Sequence, residues 1–270
     1  MPQVNANGAR LYYQLQGDPS KPSLLLVHPV GSDLSLWDQV VPGLLKHFQV
    51  LRFDLRGHGG SEATPGEYTL ALLAEDILHV ASKLGLPRFA ICGVSIGGMA
   101  AVQAASLAPE RVTALVICST ASRLSPPPGG WDARAKAAVE FGMEPLASAM
   151  IERMISGQFR SSGHPEIHTV RNVFAAMDPQ GYASACAVLR DTDLEPLLAS
   201  LKTPTLVVSG RLDVLVPPAA GSGIAEKLPH AKHVVLSCGH FPPLEVPSAF
   251  VELLSGYCSP SDSNETRTMA

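Results

Sequence analysis

The segment of this chain best suited to chemistry is Gly93-Val94-Ser95-Ile96-Gly97. An apolar run, Phe89 to Val94, precedes it, and a stretch rich in small residues, Gly97 to Leu107, follows. A serine in G-x-S-x-G between a strand and a helix sits on a turn too sharp for side chains at the flanking positions, and the turn pushes its hydroxyl out at the carboxyl end of the strand. The helix beyond points its N-terminus at the negative charge that develops in acyl transfer. A serine hydroxyl is a poor nucleophile without a base. In this kind of arrangement the acid and then the histidine follow in chain order, at the ends of later strands. The run Leu206 to Gly210 leads into Arg211-Leu212-Asp213, and the run Val234 to Cys238 leads into Gly239-His240. The expected set is Ser95 as nucleophile, His240 as base and Asp213 as the carboxylate that orients it.

Acyl transfer also needs backbone N–H groups aimed at the carbonyl oxygen. One is expected from Ile96, the residue after the nucleophile. The other should come from the loop after an early strand, His28-Pro29-Val30-Gly31; Pro29 has no N–H, so Val30 is the natural donor. The chain has nine histidines. Only His240 is last in chain order and follows the last strand. His28 is expected to shape its loop by hydrogen bonding, and His58, in Gly57-His58-Gly59, to hold a tight turn. His47, His79, His230 and His233 fall on helices, strand starts or turns with no site element beside them. His164 and His168 lie in a helical region, where surface or packing roles are expected.

The elements that must position these groups follow from short apolar runs separated by helical spacing. The runs are Ser23–His28, Gln49–Leu55, Arg88–Val94 and Val112–Thr120, then Thr203–Gly210 and Ala231–Cys238. Between Tyr68 and Leu84 a helical pattern puts Leu70, Leu73, Ile77, Leu78 and Leu84 near one face. Strand–helix alternation of this kind predicts an α/β fold, with a mostly parallel sheet flanked by helices on both faces. The alternation breaks at Pro126-Pro127-Pro128-Gly129-Gly130. From there to Leu198 the pattern is helical and contains no strand-like run. The expected organisation is a core of residues 1–121 and 199–258, a helical lid inserted at 122–198, and a polar, disordered tail at 259–270.

Composition narrows the partners. Charged residues make up 16% of the chain and the net charge is −4, without the basic patch that a nucleic-acid partner calls for. The longest apolar runs are far too short to span a bilayer. The N-terminus carries no basic and apolar leader, which predicts a cytoplasmic location. Five cysteines, scattered and without a CxxC pair, fit neither a disulfide framework nor a zinc site; buried reduced thiols are expected. No metal or organic cofactor is implied, a small-molecule ester or lactone is the expected partner, and the oligomeric state is left open.

Taken together the quoted segments resemble the α/β-hydrolase superfamily and, within it, the 3-oxoadipate enol-lactone hydrolases. The likeness runs from Asn7 to about Leu254. It is carried by Gly31-Ser32-Asp33-Leu34-Ser35-Leu36-Trp37-Asp38, by Arg52-Phe53-Asp54-Leu55-Arg56-Gly57-His58-Gly59, by Cys92 to Met99, and by Asp178-Pro179-Gln180-Gly181-Tyr182-Ala183-Ser184-Ala185-Cys186 in the lid. Those lactonases have a Trp-x-x-Arg after the breaker, matched here by Trp131 and Arg134, which share one helical face. The resemblance implies that Arg134 binds a substrate carboxylate and that Trp131 covers the lactone ring. One departure stands out. The family usually has Asn-Ser-Leu-Gly where this chain has His28-Pro29-Val30-Gly31, which is nearer to general esterases. The expected activity is serine-dependent hydrolysis of 3-oxoadipate enol-lactone in aromatic catabolism. Alternatives are a general carboxylesterase or other lactonase, a cofactor-free perhydrolase on the same triad, or a non-catalytic ligand receptor that kept the fold.

Overall fold

The computed structural model describes residues 2–259; the remainder of the expected tail, 260–270, lies outside the described residues. Eight strands form one sheet: β1 (Gln3–Ala6), β2 (Ala9–Gln16), β3 (Ser23–Val27), β4 (Gln49–Phe53), β5 (Phe89–Val94), β6 (Val112–Cys118), β7 (Thr205–Gly210) and β8 (Ala231–Leu236). Their order across the sheet is β1-β2-β4-β3-β5-β6-β7-β8. The six strands from β3 onward pair in parallel, whereas β1 and β2 pair antiparallel with their neighbours. The parallel part is the mostly parallel sheet expected from the alternation.

The antiparallel edge was not. Its signal is local: Ala6 pairs with Ala9 around Asn7-Gly8, and both turn residues have positive φ (46° and 79°). A two-residue Asn-Gly loop with that geometry is a preferred hairpin connection.

The helices are α1 (Val41–Leu44), α2 (Leu70–Lys83), α3 (Ile96–Leu107), α4 (Gly130–Phe141), α5 (Glu144–Met154), α6 (Gly157–Ser161), α7 (Glu166–Ala175), α8 (Pro179–Asp191), α9 (Glu195–Leu198), α10 (Pro218–Ala225), α11 (Pro242–Glu245) and α12 (Pro247–Cys258). Strands β3, β5 and β7 are buried almost throughout, as strands covered by helices on both faces must be. Helix α2 begins at Thr69, whose side chain accepts from Leu72 N–H, and it buries Leu73, Ala74, Ile77, Val80 and Ala81. Leu70 and Leu78, expected on that face, are only half-buried. The same helix buries Asp76, which receives two hydrogen bonds of 2.6 Å from Arg56 and so ties α2 to the loop after β4.

Between β6 and β7 the chain forms α4 to α9 and no strand. Strand order reverses direction between β3 and β5, since β4 lies on one side of β3 and β5 on the other. In an open parallel sheet the crevice at the carboxyl ends of such a pair is the place where ligands bind. The loops that leave β3 and β5 carry Val30 and Ser95.

Candidate active site

Ser95 is the residue between β5 and α3, with φ 56° and ψ −120°. A non-glycine residue in that region stores on the order of 1–3 kcal/mol of strain, which persists only where neighbours impose it. The neighbours do so here. Ser95 N–H donates to Cys118 O at 2.9 Å, fastening the turn to β6. A Cβ at Gly97 would stand 2.3 Å from Val27 O, and one at Gly93 would stand 2.2 Å from Gly97 O. Both glycines are thus required by close backbone approach, which is what lets α3 start directly under the serine.

Asp213 and His240 come from the loops after β7 and β8, which are adjacent strands. Asp213 Oδ2 lies 2.8 Å from His240 Nδ1. Its Oδ1 accepts from Leu215 N–H at 2.8 Å and Val216 N–H at 3.0 Å. Burial pushes this carboxyl up, but the facing His240 and the hydrogen bonds from His240, Val216 and Leu215 outweigh it and hold the acid below its ordinary value. The backbone of His240 is fixed too, since its N–H donates to Met154 O at 2.9 Å. Beside it, the Glu245 carboxylate accepts from Gly239 N–H at 3.0 Å and from Ser156 N–H at 3.1 Å. A residue of α11 therefore joins the histidine loop to the end of α5.

The loop after β3 is shaped by His28, whose ring is fully buried. Its Nδ1–H donates to Pro29 O at 2.8 Å, and its Nε2 accepts from Leu55 N–H at 2.9 Å. Burial lowers its pKa to about 4, against a smaller upward effect of the Pro29 carbonyl. It is a neutral structural ring with both nitrogens occupied. His58, buried against it at 5.1 Å between ring centroids, donates from Nδ1 to Arg56 O. Among the described residues neither Val30 N–H nor Ile96 N–H donates to a protein acceptor. Two donors are therefore free at the ends of β3 and β5.

Ser95, Val30 and His240 open on one cavity of about 260 Å³. The sheet supplies its floor. The segment between β6 and β7 supplies its roof through Leu124, Trp131, Arg134, Met150, Met154 and Tyr182. The roof is positioned locally by the Asp178-Pro179-Gln180-Gly181-Tyr182 segment. Asp178 caps α8 by accepting from Gly181 N–H at 2.8 Å, Pro179 occupies the first turn, and Tyr182 is carried inward. Arg134 Nε–H donates to Tyr182 Oη at 2.5 Å, and its guanidinium lies 5.7 Å from the centroid of that ring. Burial keeps the Tyr182 phenol protonated, its pKa raised far above the ordinary value. Arg134 Nη2 is buried and has no hydrogen-bond partner among the described residues.

The structure thus brings Ser95, His240, Val30, Trp131 and Arg134 to one cavity, with Asp213 behind His240 and Ile96 next to Ser95. His164 and His168 are exposed and do not line it. Sequence reasoning passed over Tyr182, Arg153, which also lines the cavity, and Glu245. Tyr182 stands in a quoted segment; nothing near Arg153 or Glu245 marks either in the sequence. All five cysteines are free and buried, with Cys92 and Cys118 Sγ atoms 3.9 Å apart. Among the described residues no three His, Cys, Asp or Glu side chains converge on a metal position, and no helix is long and apolar enough to cross a membrane.

Comparison with known proteins points the same way. A sequence model of the α/β-hydrolase fold matches residues 22–141. The chain is 29% identical to 3-oxoadipate enol-lactonase 2 of Acinetobacter baylyi over 92% of each chain. It is 30% identical to a pimeloyl-[acyl-carrier protein] methyl ester esterase of Nitrosomonas europaea, covering 85% of this chain and 93% of the other. The crystal structure of the enol-lactonase from Burkholderia xenovorans superposes with a TM-score of 0.92 at 35% identity, covering 95% of this chain and 99% of that one.

Proposed function

The chain belongs to the α/β-hydrolase fold family, and on that premise we propose that it hydrolyses carboxylic esters or lactones through an acyl-enzyme on Ser95, with a carboxylate-bearing enol-lactone such as 3-oxoadipate enol-lactone as substrate. The observation that carries the hydrolytic reading is the 2.8 Å contact of Asp213 with His240 Nδ1, which leaves Nε2 directed to the cavity that Ser95 lines. With Nδ1–H donated to Asp213, the neutral imidazole presents Nε2 as the base. It takes the Ser95 proton as Oγ attacks the carbonyl, and Asp213 stabilises the imidazolium that results. The Val30 and Ile96 N–H groups receive the oxyanion, a contribution of about 2.7–4 kcal/mol per donor in other hydrolases. His240 then protonates the leaving oxygen; an enol is a good leaving group, so this step asks little. Water, deprotonated by His240, cleaves the acyl-enzyme and restores Ser95.

The anionic substrate is supported by the presence of Arg134 among the residues lining the cavity and by the enol-lactonase relatives. A general carboxylesterase remains the second reading, favoured by His28-Pro29-Val30-Gly31 and by the methyl ester esterase relative. One screen separates them. The parent should be labelled by a fluorophosphonate and the Ser95→Ala variant should not; an unlabelled parent would point to a ligand receptor. Arg134→Ala should raise KM for the enol-lactone roughly 10- to 150-fold, the equivalent of one charge-assisted hydrogen bond of about 1.5–3 kcal/mol, and change a neutral p-nitrophenyl ester little. Equal losses on both substrates, or no enol-lactone turnover by the parent, would move the assignment to the general esterase.

A further inference from the structure

Among the described residues three non-glycine residues have positive φ: Asn7, Ser95 and Ser119. Asn7 serves the hairpin and Ser95 the nucleophile turn. Ser119, with φ 48°, directly follows β6; it is buried, and its N–H donates to Val208 O of β7 at 2.9 Å. Backbone strain of this kind persists only where the surroundings impose it, and it gathers at functional sites. Its effect falls on the next residue, which the turn folds back toward the end of β5. The buried Thr120 hydroxyl lies 2.8 Å from Cys118 O and 3.3 Å from Ser95 O. Gly98, in the first turn of α3, leaves room for it: a Cβ there would stand 2.2 Å from Thr120 Oγ1, the nearest obstacle to any side chain at that position.

Both acceptors belong to the nucleophile turn. Cys118 O already takes the Ser95 N–H at 2.9 Å, and Ser95 O takes the Met99 N–H at 3.0 Å. Ser95 O also shares a peptide group with the Ile96 N–H. That group is planar, with the two bonds on opposite sides, so whatever holds the oxygen also sets the direction of the N–H. A hydrogen bond to the oxygen further polarises the amide and makes its N–H the stronger donor. Thr120 has one proton for two acceptors, and at rest Cys118 O is the nearer. When negative charge gathers in front of the Ile96 N–H, the amide polarises and Ser95 O draws the hydroxyl proton more strongly. A contact that strengthens as charge develops lowers the barrier without tightening substrate binding.

We propose, on the hydrolytic reading above, that Thr120 is a positioning residue for the oxyanion: its hydroxyl, placed by the Ser119 turn and the gap at Gly98, steers and strengthens the Ile96 donor. Thr120 does not line the cavity. Its effect therefore passes through the Ser95–Ile96 peptide, and shows in kcat and in the affinity for ligands that resemble the transition state, not in KM.

A butyl trifluoromethyl ketone, which Ser95 would convert to an adduct with its charged oxygen in the oxyanion site, reads the donor directly. Hydrolysis of p-nitrophenyl acetate reads kcat and KM apart. Losing an oxyanion donor outright costs roughly 10²–10³ in kcat in other hydrolases. Losing only its support should cost less, about five- to tenfold, the worth of one ordinary hydrogen bond. In Thr120→Ala both kcat and the ketone affinity should fall by that factor, with KM within about twofold of the parent. Thr120→Val, which fills the space without a hydroxyl, should do the same, and Thr120→Ser should stay within about twofold of the parent in all three. Titration of active sites with a fluorophosphonate refers each rate to folded enzyme, so a loss of stability alone does not move these values. Unchanged kcat and ketone affinity in the Ala and Val variants, or a Ser variant as impaired as they are, overturns the role of Thr120 and leaves the hydrolysis standing. A parent that reacts with neither the ester nor the fluorophosphonate overturns the hydrolysis and, with it, the role of Thr120.

Discussion

Asp213 divides its two oxygens between tasks. Oδ2 faces His240, while Oδ1 takes the N–H groups of Leu215 and Val216 and so holds the carboxylate in place. Asparagine at this position can keep the backbone bonds through its carbonyl, but it then offers its amide N–H₂ to Nδ1. The ring must turn its proton to Nε2, and the base proposed for Ser95 is lost. Asp213→Asn should therefore keep its melting temperature close to that of the parent and lose on the order of 10⁴ in kcat, as in other triads. A variant within tenfold of the parent in steady-state hydrolysis would show that another carboxylate serves. The lowered pKa of Asp213 also means that it remains ionised below the usual carboxylate range, so its own protonation does not shape the rate near neutrality.

At the scale of elements, the histidine loop is held by two partners that do not belong to the sheet: the end of α5, through Met154 O, and α11, through Glu245. Glutamine at 245 retains one acceptor but turns an N–H₂ toward a backbone N–H, so one of the two charge-assisted bonds is lost. Stability should fall by about 1.5–3 kcal/mol, the usual worth of a hydrogen bond to a charged group. The loosened His240 should also slow fluorophosphonate labelling of Ser95 several-fold. Urea unfolding together with the labelling rate checks this; a variant that is less stable but labels at the parent rate would make Glu245 a packing residue only. The same linkage explains why α5 can contribute to the cavity roof and still register with the sheet. Helices α4 and α8, which pack on each other, have their own tie to the cavity in the Arg134–Tyr182 bond.

For the molecule as a whole, the buried groups behind the site set its response to acid. His28 and His58 are buried and neutral, with pKa values lowered from 6.5 to about 4 and about 3, chiefly by burial. Unfolded, each would bind a proton below pH 6.5, so the unfolded state binds more protons and stability falls as pH falls from about 6.5 toward the folded values. Asp54 acts in the opposite sense. Burial raises its carboxyl to about 7 despite hydrogen bonds from Gly60 and Leu34 N–H, so it holds a proton when folded that it would lose when unfolded, and its contribution is lost as pH rises through that value. Removing one histidine should isolate its share. Between pH 6 and 5 the stability of His28→Gln should depend on pH less steeply than that of the parent, by about 1.4 kcal/mol per pH unit. Urea titrations at a series of pH values give the two slopes; parallel slopes would mean that His28 is protonated in the folded protein.

Much of this architecture is local and therefore readable in the chain. The strand–turn–helix around Ser95 follows from glycines that close backbone approach requires, and Asp213 and His240 each stand just past an apolar run. The helical block between β6 and β7 follows from a break in strand alternation. The Asn7-Gly8 hairpin was equally legible, but its strands β1 and β2 are partly exposed and lack the continuous apolar run by which the parallel strands declare themselves. What the chain alone could not determine is which side chains of distant helices converge. Arg134 was suggested by its spacing from Trp131, yet its seat on Tyr182 joins residues 48 apart in sequence. Glu245 reaches Ser156, 89 residues away, and Arg153 enters the cavity only because α5 packs where it does. Short-range pattern encodes elements and their ends because backbone sterics and hydrophobic period act over a few residues. The chemistry of a cavity wall depends on packing between elements, and only the tertiary structure decides it.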